Sequence, residues 1–217
     1  MFGIILPALR ASLATWVLCG IAYPLAVTGL GRWLLPFQAS GSLEKAADGT
    51  ILGSRLIGQQ WSGPEWFHGR PSATTGIDPN DPAKTLAVPY NAANSGGSNL
   101  GPTSKILIER LSTDRSALEA AQPELAGQPL PADMLTASAS GLDPDISPAD
   151  AALQLARVAR ARRIPIAEIN GLLQRHITGR SLGIFGEPRV NVLALNLALD
   201  EKYPKSSASL RLQDQSP

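Results

Sequence analysis

The sequence predicts an α+β fold: a single N-terminal transmembrane helix followed by one Gly/Pro-rich soluble α+β domain. Three observations predict it. Residues 11–31 carry no charged side chain, although Arg10 and Arg32 flank them directly. The chain holds 20 glycines and 18 prolines with aromatics at only 5%, which points to a turn-rich domain with a modest core. Helix-start signals at Ser104, Ser147 and Pro165 stand beside a hairpin signal at Asp48-Gly49, so the domain mixes both structure types.

A helix of about 21 residues rises roughly 31 Å, close to the ~30 Å hydrocarbon core of a bilayer. Such a helix satisfies its own backbone hydrogen bonds in lipid. Trp16 and Trp33 suit opposite interfaces, and Arg10 and Arg32 can snorkel into headgroups. A cleaved leader would show early basic residues, a shorter apolar run and small residues at the cut site. Here Arg10 is the only early basic side chain, and Phe37-Gln38-Ala39 puts a bulky residue where a small one is needed. The expectation is a retained anchor. Pro24 falls inside it and should kink it. Gly20, Ala22, Pro24, Ala26 and Gly29 mark it as a docking helix, because small residues let a neighbouring helix approach closely. The flanking charges are near balance and lean, if at all, towards a cytoplasmic domain.

The expected organisation is a short N-terminal segment over 1–10, a transmembrane helix over 11–33 and a linker over 34–41. A soluble domain over 42–203 and a disordered tail over 204–217 follow. About 180 residues beyond the span are enough for one sizeable domain. Asp48-Gly49 between two short runs predicts a β-hairpin with a two-residue turn, glycine supplying the positive φ. Residues 59–102 are the least regular part, with Pro64, Pro71, Pro79, Pro82, Pro89 and Pro102 excluding long helices. A structureless stretch of that length in a compact domain is either functional or hides short elements.

Thr103 or Ser104 caps a helix running to about Ala121, with Leu107, Leu111 and Leu118 along one face. Ser147, Pro148 and Asp150 supply an N-cap, a first-turn proline and an N3 acid for a helix ending near Arg163. Arg157, Arg160, Arg162 and Arg163 suit the negative end of its dipole as a solvated helix end. Pro165 opens a helix with Ile169, Leu172, Leu173 and Ile177 inward. Pro188 opens the last element over 190–199, where leucines alternate as in a strand but Ala and Leu content favours helix.

A net charge of +1 argues against nucleic acid as a partner. Cys19, the single cysteine, lies in the span, leaving the domain without disulfides or a thiolate site. No phosphate-binding P-loop, zinc-protease helix or nucleophile elbow occurs, and no catalytic residue is assigned. His68 and His176 lack neighbouring ligands at metal spacing and read as hydrogen-bonded or surface histidines, so no metal site is expected. Asp143 and Asp145 flank Pro144 as turn-formers. Ser138 and Ser140 have no visible base, which weighs against a hydrolase. Ser95, Gly96, Gly97, Ser98 and Asn99 are the best ligand candidate: adjacent glycines can form an anion-binding nest, against a tight turn needing positive φ.

Six blocks, in order, carry a resemblance: GSRLIGQ at 53–59, FHGRPSA at 67–73, PYN…SGGSNLGP at 89–102, TASASGLDP at 136–144, Gln154 with Arg157-Val158-Ala159, and GEPRVNVL at 186–193. Together they resemble the KdpC family, the C subunits of the bacterial potassium-transporting Kdp P-type ATPase, from the anchor to about Leu199. The resemblance implies one subunit of a four-part inner-membrane complex. Its partners would be a channel-like potassium-binding subunit, a P-type ATPase catalytic subunit and a small membrane subunit, with lipid around the span. The Asp-Lys-Thr-Gly that a P-type catalytic subunit phosphorylates is missing here, and one span encloses no pore. ATP and potassium are therefore handled by the complex, and this chain binds no cofactor of its own by this reading. The implied topology has the N-terminus cytoplasmic and the C-terminal domain extracytoplasmic, assembling the complex and capping potassium entry. The alternative implied by the family is a catalytic chaperone that binds ATP through Ser95, Gly96, Gly97, Ser98 and Asn99, with Gln59 a weaker addition.

Overall fold

A computed structural model describes residues 2–204; the tail expected beyond Pro204 lies outside the described residues. The fold mixes helices and strands, divided between Ser54 and Arg55 into two compact units.

The first unit begins with one long helical run: α1 (Phe2–Val17), a π-turn (Leu18–Ala22) and α2 (Tyr23–Leu34). Its apolar part, Gly3–Leu34, is 32 residues long and none of it is buried. At 1.5 Å per residue this is about 48 Å, longer than the ~30 Å hydrocarbon core. The helix starts well before Ala11, so the segment expected over 1–10 is helical from Phe2 onward. Pro24 produces a π-turn ahead of itself. A proline lacks an N–H, and its ring presses on the carbonyl four residues back, here Gly20. The wider turn relieves this: the Tyr23 N–H donates to Leu18 O, five residues back. The linker over 34–41 holds a one-turn helix, α3 (Pro36–Ala39).

β1 (Leu43–Lys45) and β2 (Ile51–Ser54) pair antiparallel, as the Asp48-Gly49 signal predicts. The turn is longer than two residues. Gly49 N–H donates to Ala46 O at 2.9 Å and Ala46 N–H to Thr50 O at 2.9 Å. Gly49, at φ +86°, therefore closes a three-residue loop of the bulged kind.

The second unit contains a hairpin that the prolines concealed. β3 (Thr75–Asp78) and β4 (Asp81–Ala87) pair antiparallel around Pro79-Asn80. Pro82 is tolerated because a two-stranded ribbon has only edges. α4 (Lys105–Ala121) follows, capped by Ser104, with Leu107, Leu111 and Leu118 half-buried on one face. The core lies beyond it. β5 (Asp145–Ile146), β7 (Arg189–Asn191) and β6 (Ile177–Thr178) form an antiparallel sheet in the order β5-β7-β6. α5 (Pro148–Arg162), α6 (Ile166–His176) and α7 (Val192–Lys202) pack with that sheet. Val158, Ile169, Leu173, Val190, Leu195 and Leu199 are buried in one cluster that also takes in Trp61, Trp66 and Phe67. The caps of α5 are as read: Ser147 Oγ accepts the Asp150 N–H at 3.0 Å, and Arg163 ends the helix at φ +57°. Pro188 opens a strand, and α7 starts only at Val192, where Asn191 Oδ1 accepts the Ala194 N–H at 3.0 Å. The asparagine cap makes the strand-to-helix change within one residue.

Candidate functional site

The irregular segment over 61–74 is held by side chains of the C-terminal helices. Phe67 is completely buried, and its N–H and C=O both bond the Asn196 amide of α7, each at 2.9 Å. The next residue is held the same way from α5: His68 N–H donates to Gln154 Oε1 at 2.7 Å, and Gln154 Nε2 donates to His68 O at 3.0 Å. A primary amide offers both N–H donors and a carbonyl acceptor, so each reproduces the pairing of a missing neighbour strand. Arg157 donates to Pro64 O at 3.1 Å and to Gln154 Oε1 at 2.6 Å. Arg162 donates to Glu65 O at 2.9 Å, pairs with Asp200 at 3.3 Å and lies 4.3 Å over the Trp66 ring. The Arg157 and Arg162 side chains are thus buried ligands of backbone and ring, not a solvated helix end; the dipole reading survives for Arg160, which pairs outward with Glu124.

Three of the sequence blocks then meet. Arg70 pairs with Asp143 at 3.0 Å and donates to Thr136 Oγ1 at 3.3 Å. Ser72 Oγ donates to Gly141 O at 2.7 Å and accepts the Tyr90 N–H at 2.9 Å. Tyr90, at φ +59°, donates its hydroxyl to Arg70 O at 2.6 Å. Ser95 Oγ and the Gly96 N–H both donate to Ser140 O, at 3.0 and 2.9 Å. A Cβ on Gly97 would stand 2.9 Å from Ala139 O, so glycine permits this close approach. The block over 136–141 is therefore packed against both residues 70–74 and residues 95–97, which meet at Gly141. A cleft of about 400 Å³ opens beside it, lined among others by Trp61, Arg70, Tyr90, Arg110 and Asp114.

Burial sets the electrostatics. Asp150, almost completely buried, is raised to about 7 by desolvation, although Gln154 Nε2 donates to it at 2.8 Å. His68 is lowered to about 4 by desolvation and by the Arg157 charge. Desolvation and Asp143 raise Tyr90 to about 12, so its hydroxyl stays protonated as a donor. Asp145, paired with Arg189 at 3.0 Å, is raised by burial.

Of the ligand candidates, Ser95, Gly96 and Gly97 face the 138–141 segment, while Ser98 and Asn99 are exposed. The positive φ of this stretch falls on Asn99, at +53°, and on neither glycine. Gln59, the weaker addition, is half-buried elsewhere in the chain. Gly20, Ala22, Pro24, Ala26 and Gly29 are all exposed along the long helix, and a Cβ on Gly20 or Gly29 would meet nothing within 4 Å. Asp143 Oδ1 accepts the Asp145 N–H at 3.1 Å, the turn-former's bond expected of it. Ser138 Oγ faces Ser140 Oγ at 3.4 Å, and Ser140 Oγ accepts the Leu142 N–H at 3.1 Å. Among the described residues, no three of His, Cys, Asp and Glu gather as a metal site would require. The holding roles of Gln154, Arg157 and Asn196 were not assigned from sequence. Their positions carried the signal: Gln154 and Arg157 share the face of α5 that buries Ala151, Leu155 and Val158. A polar residue in an apolar stripe needs a buried partner.

The family profile described as KdpC: K+-transporting ATPase, c chain, matches residues 5–201. A potassium-transporting ATPase KdpC subunit of Methylobacterium nodulans is 55% identical over 195 residues, covering 90% of this chain and 95% of that one. The corresponding subunit of Bradyrhizobium diazoefficiens is 54% identical over 199 residues, 92% of this chain and 97% of its own. That of Rhodopseudomonas palustris is 55% identical over the same shares.

Proposed function

This chain belongs to the KdpC family, the c chains of K+-transporting ATPases, and from that premise we propose that it is a non-catalytic subunit that assembles the potassium-uptake complex and caps its potassium entry. A role in a potassium-transport complex follows from family membership. The finer reading has the long helix anchor the chain in the inner membrane, N-terminus cytoplasmic, and dock on helices of the channel-like and P-type ATPase subunits. The domain then lies outside, over the mouth of the channel-like subunit.

One observation carries this reading: the polar side chains that look most like chemistry are committed to holding the domain's own loops. Arg70, Ser72, Tyr90, Gln154, Arg157 and Asn196 all bond backbone carbonyls. A scaffold of this kind presents a shaped surface. The test is co-purification of the channel-like and ATPase subunits from cells with and without this chain. Loss of the association is expected when the chain is missing, and an intact complex would contradict the proposal.

A second reading keeps ATP on this chain, favoured by the exposed Ser98 and Asn99 beside two glycines. Photolabelling with an ATP analogue tests it. Gly97→Val, which drives a side chain into Ala139, should abolish labelling if the loop holds nucleotide; equal labelling counts against it.

A further inference from the structure

We propose that the π-turn ahead of Pro24 makes the Cys19 carbonyl a free acceptor within the bilayer, and that a hydrogen-bond donor side chain on a neighbouring transmembrane helix binds it. This rests on the docking-helix reading above and names the chemistry of one contact in that docking.

The acceptor follows from the helix's own bonding. In an α-helix the Cys19 carbonyl takes the N–H of residue 23, and in a π-turn that of residue 24. The Tyr23 N–H is turned to Leu18 O instead. Residue 24 is a proline and has no N–H to give. Side chains of the same helix do not replace it. A hydroxyl that bends back onto a helix carbonyl stands three or four residues further on, and those positions are Ala22 and Tyr23. Alanine has no donor, and the tyrosine hydroxyl is carried outward at the tip of an exposed ring. Thr15 spends its hydroxyl on Ala11 O at 2.8 Å.

Depth decides what can supply the missing donor. Cys19 stands about 12 Å from one end of the uncharged run over 11–31 and about 18 Å from the other. Hydrocarbon holds neither donors nor bulk water, so a carbonyl freed there by proline is satisfied from a neighbouring helix. The surface leaves room for one. A Cβ on Gly20 would meet nothing within 4 Å, and Ala11, Ser12, Thr15, Trp16, Cys19 and Gly20 line a groove of about 620 Å³. Lipid tails fill such a groove without donating. A helix carrying Ser, Thr, Asn or Gln at this level matches both the groove and the acceptor. The backbone, not the Cys19 thiol, makes the contact.

The chain has a single cysteine, so labelling with carbonyl-13C cysteine and 15N glycine selects the Cys19–Gly20 peptide bond alone. Solid-state NMR then compares the full chain by itself in bilayers with the complex assembled from unlabelled partner subunits. The Cys19 carbonyl resonance should move downfield on assembly. In Pro24→Ala the new N–H bonds the carbonyl inside the helix, so its resonance should be the same in both states. Recovery of partner subunits with Pro24→Ala should fall about fivefold with membrane insertion unchanged, while Pro7→Ala keeps wild-type recovery. A resonance that does not move, or one already at the bonded position in the chain alone, overturns the inference; the second outcome assigns the donor to water or lipid. Lost recovery without movement assigns the effect to the bend of the helix and equally overturns it. If deleting the whole chain leaves the complex intact, the docking reading has failed. If Gly20→Leu lowers co-purification but the carbonyl resonance stays in place, only this contact has failed.

Discussion

Gln154 and Asn196 each use a primary amide to hold the backbone of a neighbouring residue in the segment over 61–74, and that segment has no strand of its own to pair with. Asn196→Ala leaves the Phe67 N–H and C=O buried without partners, which costs about 3 kcal/mol; a lowered denaturant midpoint with unchanged m-value would show it. Asp150 gives a pH prediction. Its folded value of about 7 lies above the ordinary 3.8, so between them the folded chain keeps a proton that the unfolded chain releases. Its contribution is therefore complete at low pH and is lost as pH rises towards 7. His68 acts oppositely: lowered to about 4, it resists the proton that the unfolded chain takes up near 6.5, so it opposes folding on acidification. Asp150→Asn should raise the unfolding midpoint at pH 8, with the gain shrinking towards pH 4. An equal gain at both pH values would contradict the assignment. Arg157 and Arg162 show where residue-level reading ran out. Spacing placed them at a helix end, but only the folded chain brings the Gly63–Glu65 carbonyls and Trp66 against them.

Elements whose ends are written locally were legible. Ser104 and Ser147 accept the amide protons expected of N-caps, and the uncharged run between Arg10 and Arg32 is helical throughout. The β3–β4 hairpin was not, because Pro79 and Pro82 read as breakers, while its ladder and the Asn91 and Asn94 side chains that bond Thr75 O at 2.8 and 2.9 Å join residues apart in sequence, which period-two alternation does not report. The site was half legible for the same reason. Motif blocks were visible one by one, but their convergence on residues 136–141 depends on bonds between residues far apart in the chain. For the long helix, Gly20→Leu and Gly29→Leu should leave membrane insertion intact, because a side chain at either position meets nothing within the chain. Co-purification with partner subunits should fall. Unchanged co-purification of both variants would remove the docking role from this face.

At the scale of the whole molecule, an anchor-length helix and a domain that spends its polar groups internally suit a subunit that organises others. Placing the domain outside the cytoplasm predicts that a C-terminal alkaline phosphatase fusion is active and a green fluorescent protein fusion dark; the reverse pattern would place it inside and favour the nucleotide reading. The most direct measurement is potassium-stimulated ATP hydrolysis by the channel-like and ATPase subunits, produced without this chain and then with it restored. The account predicts that potassium stimulation is lost in its absence and returns with the full chain. Full stimulation without it would contradict the central claim.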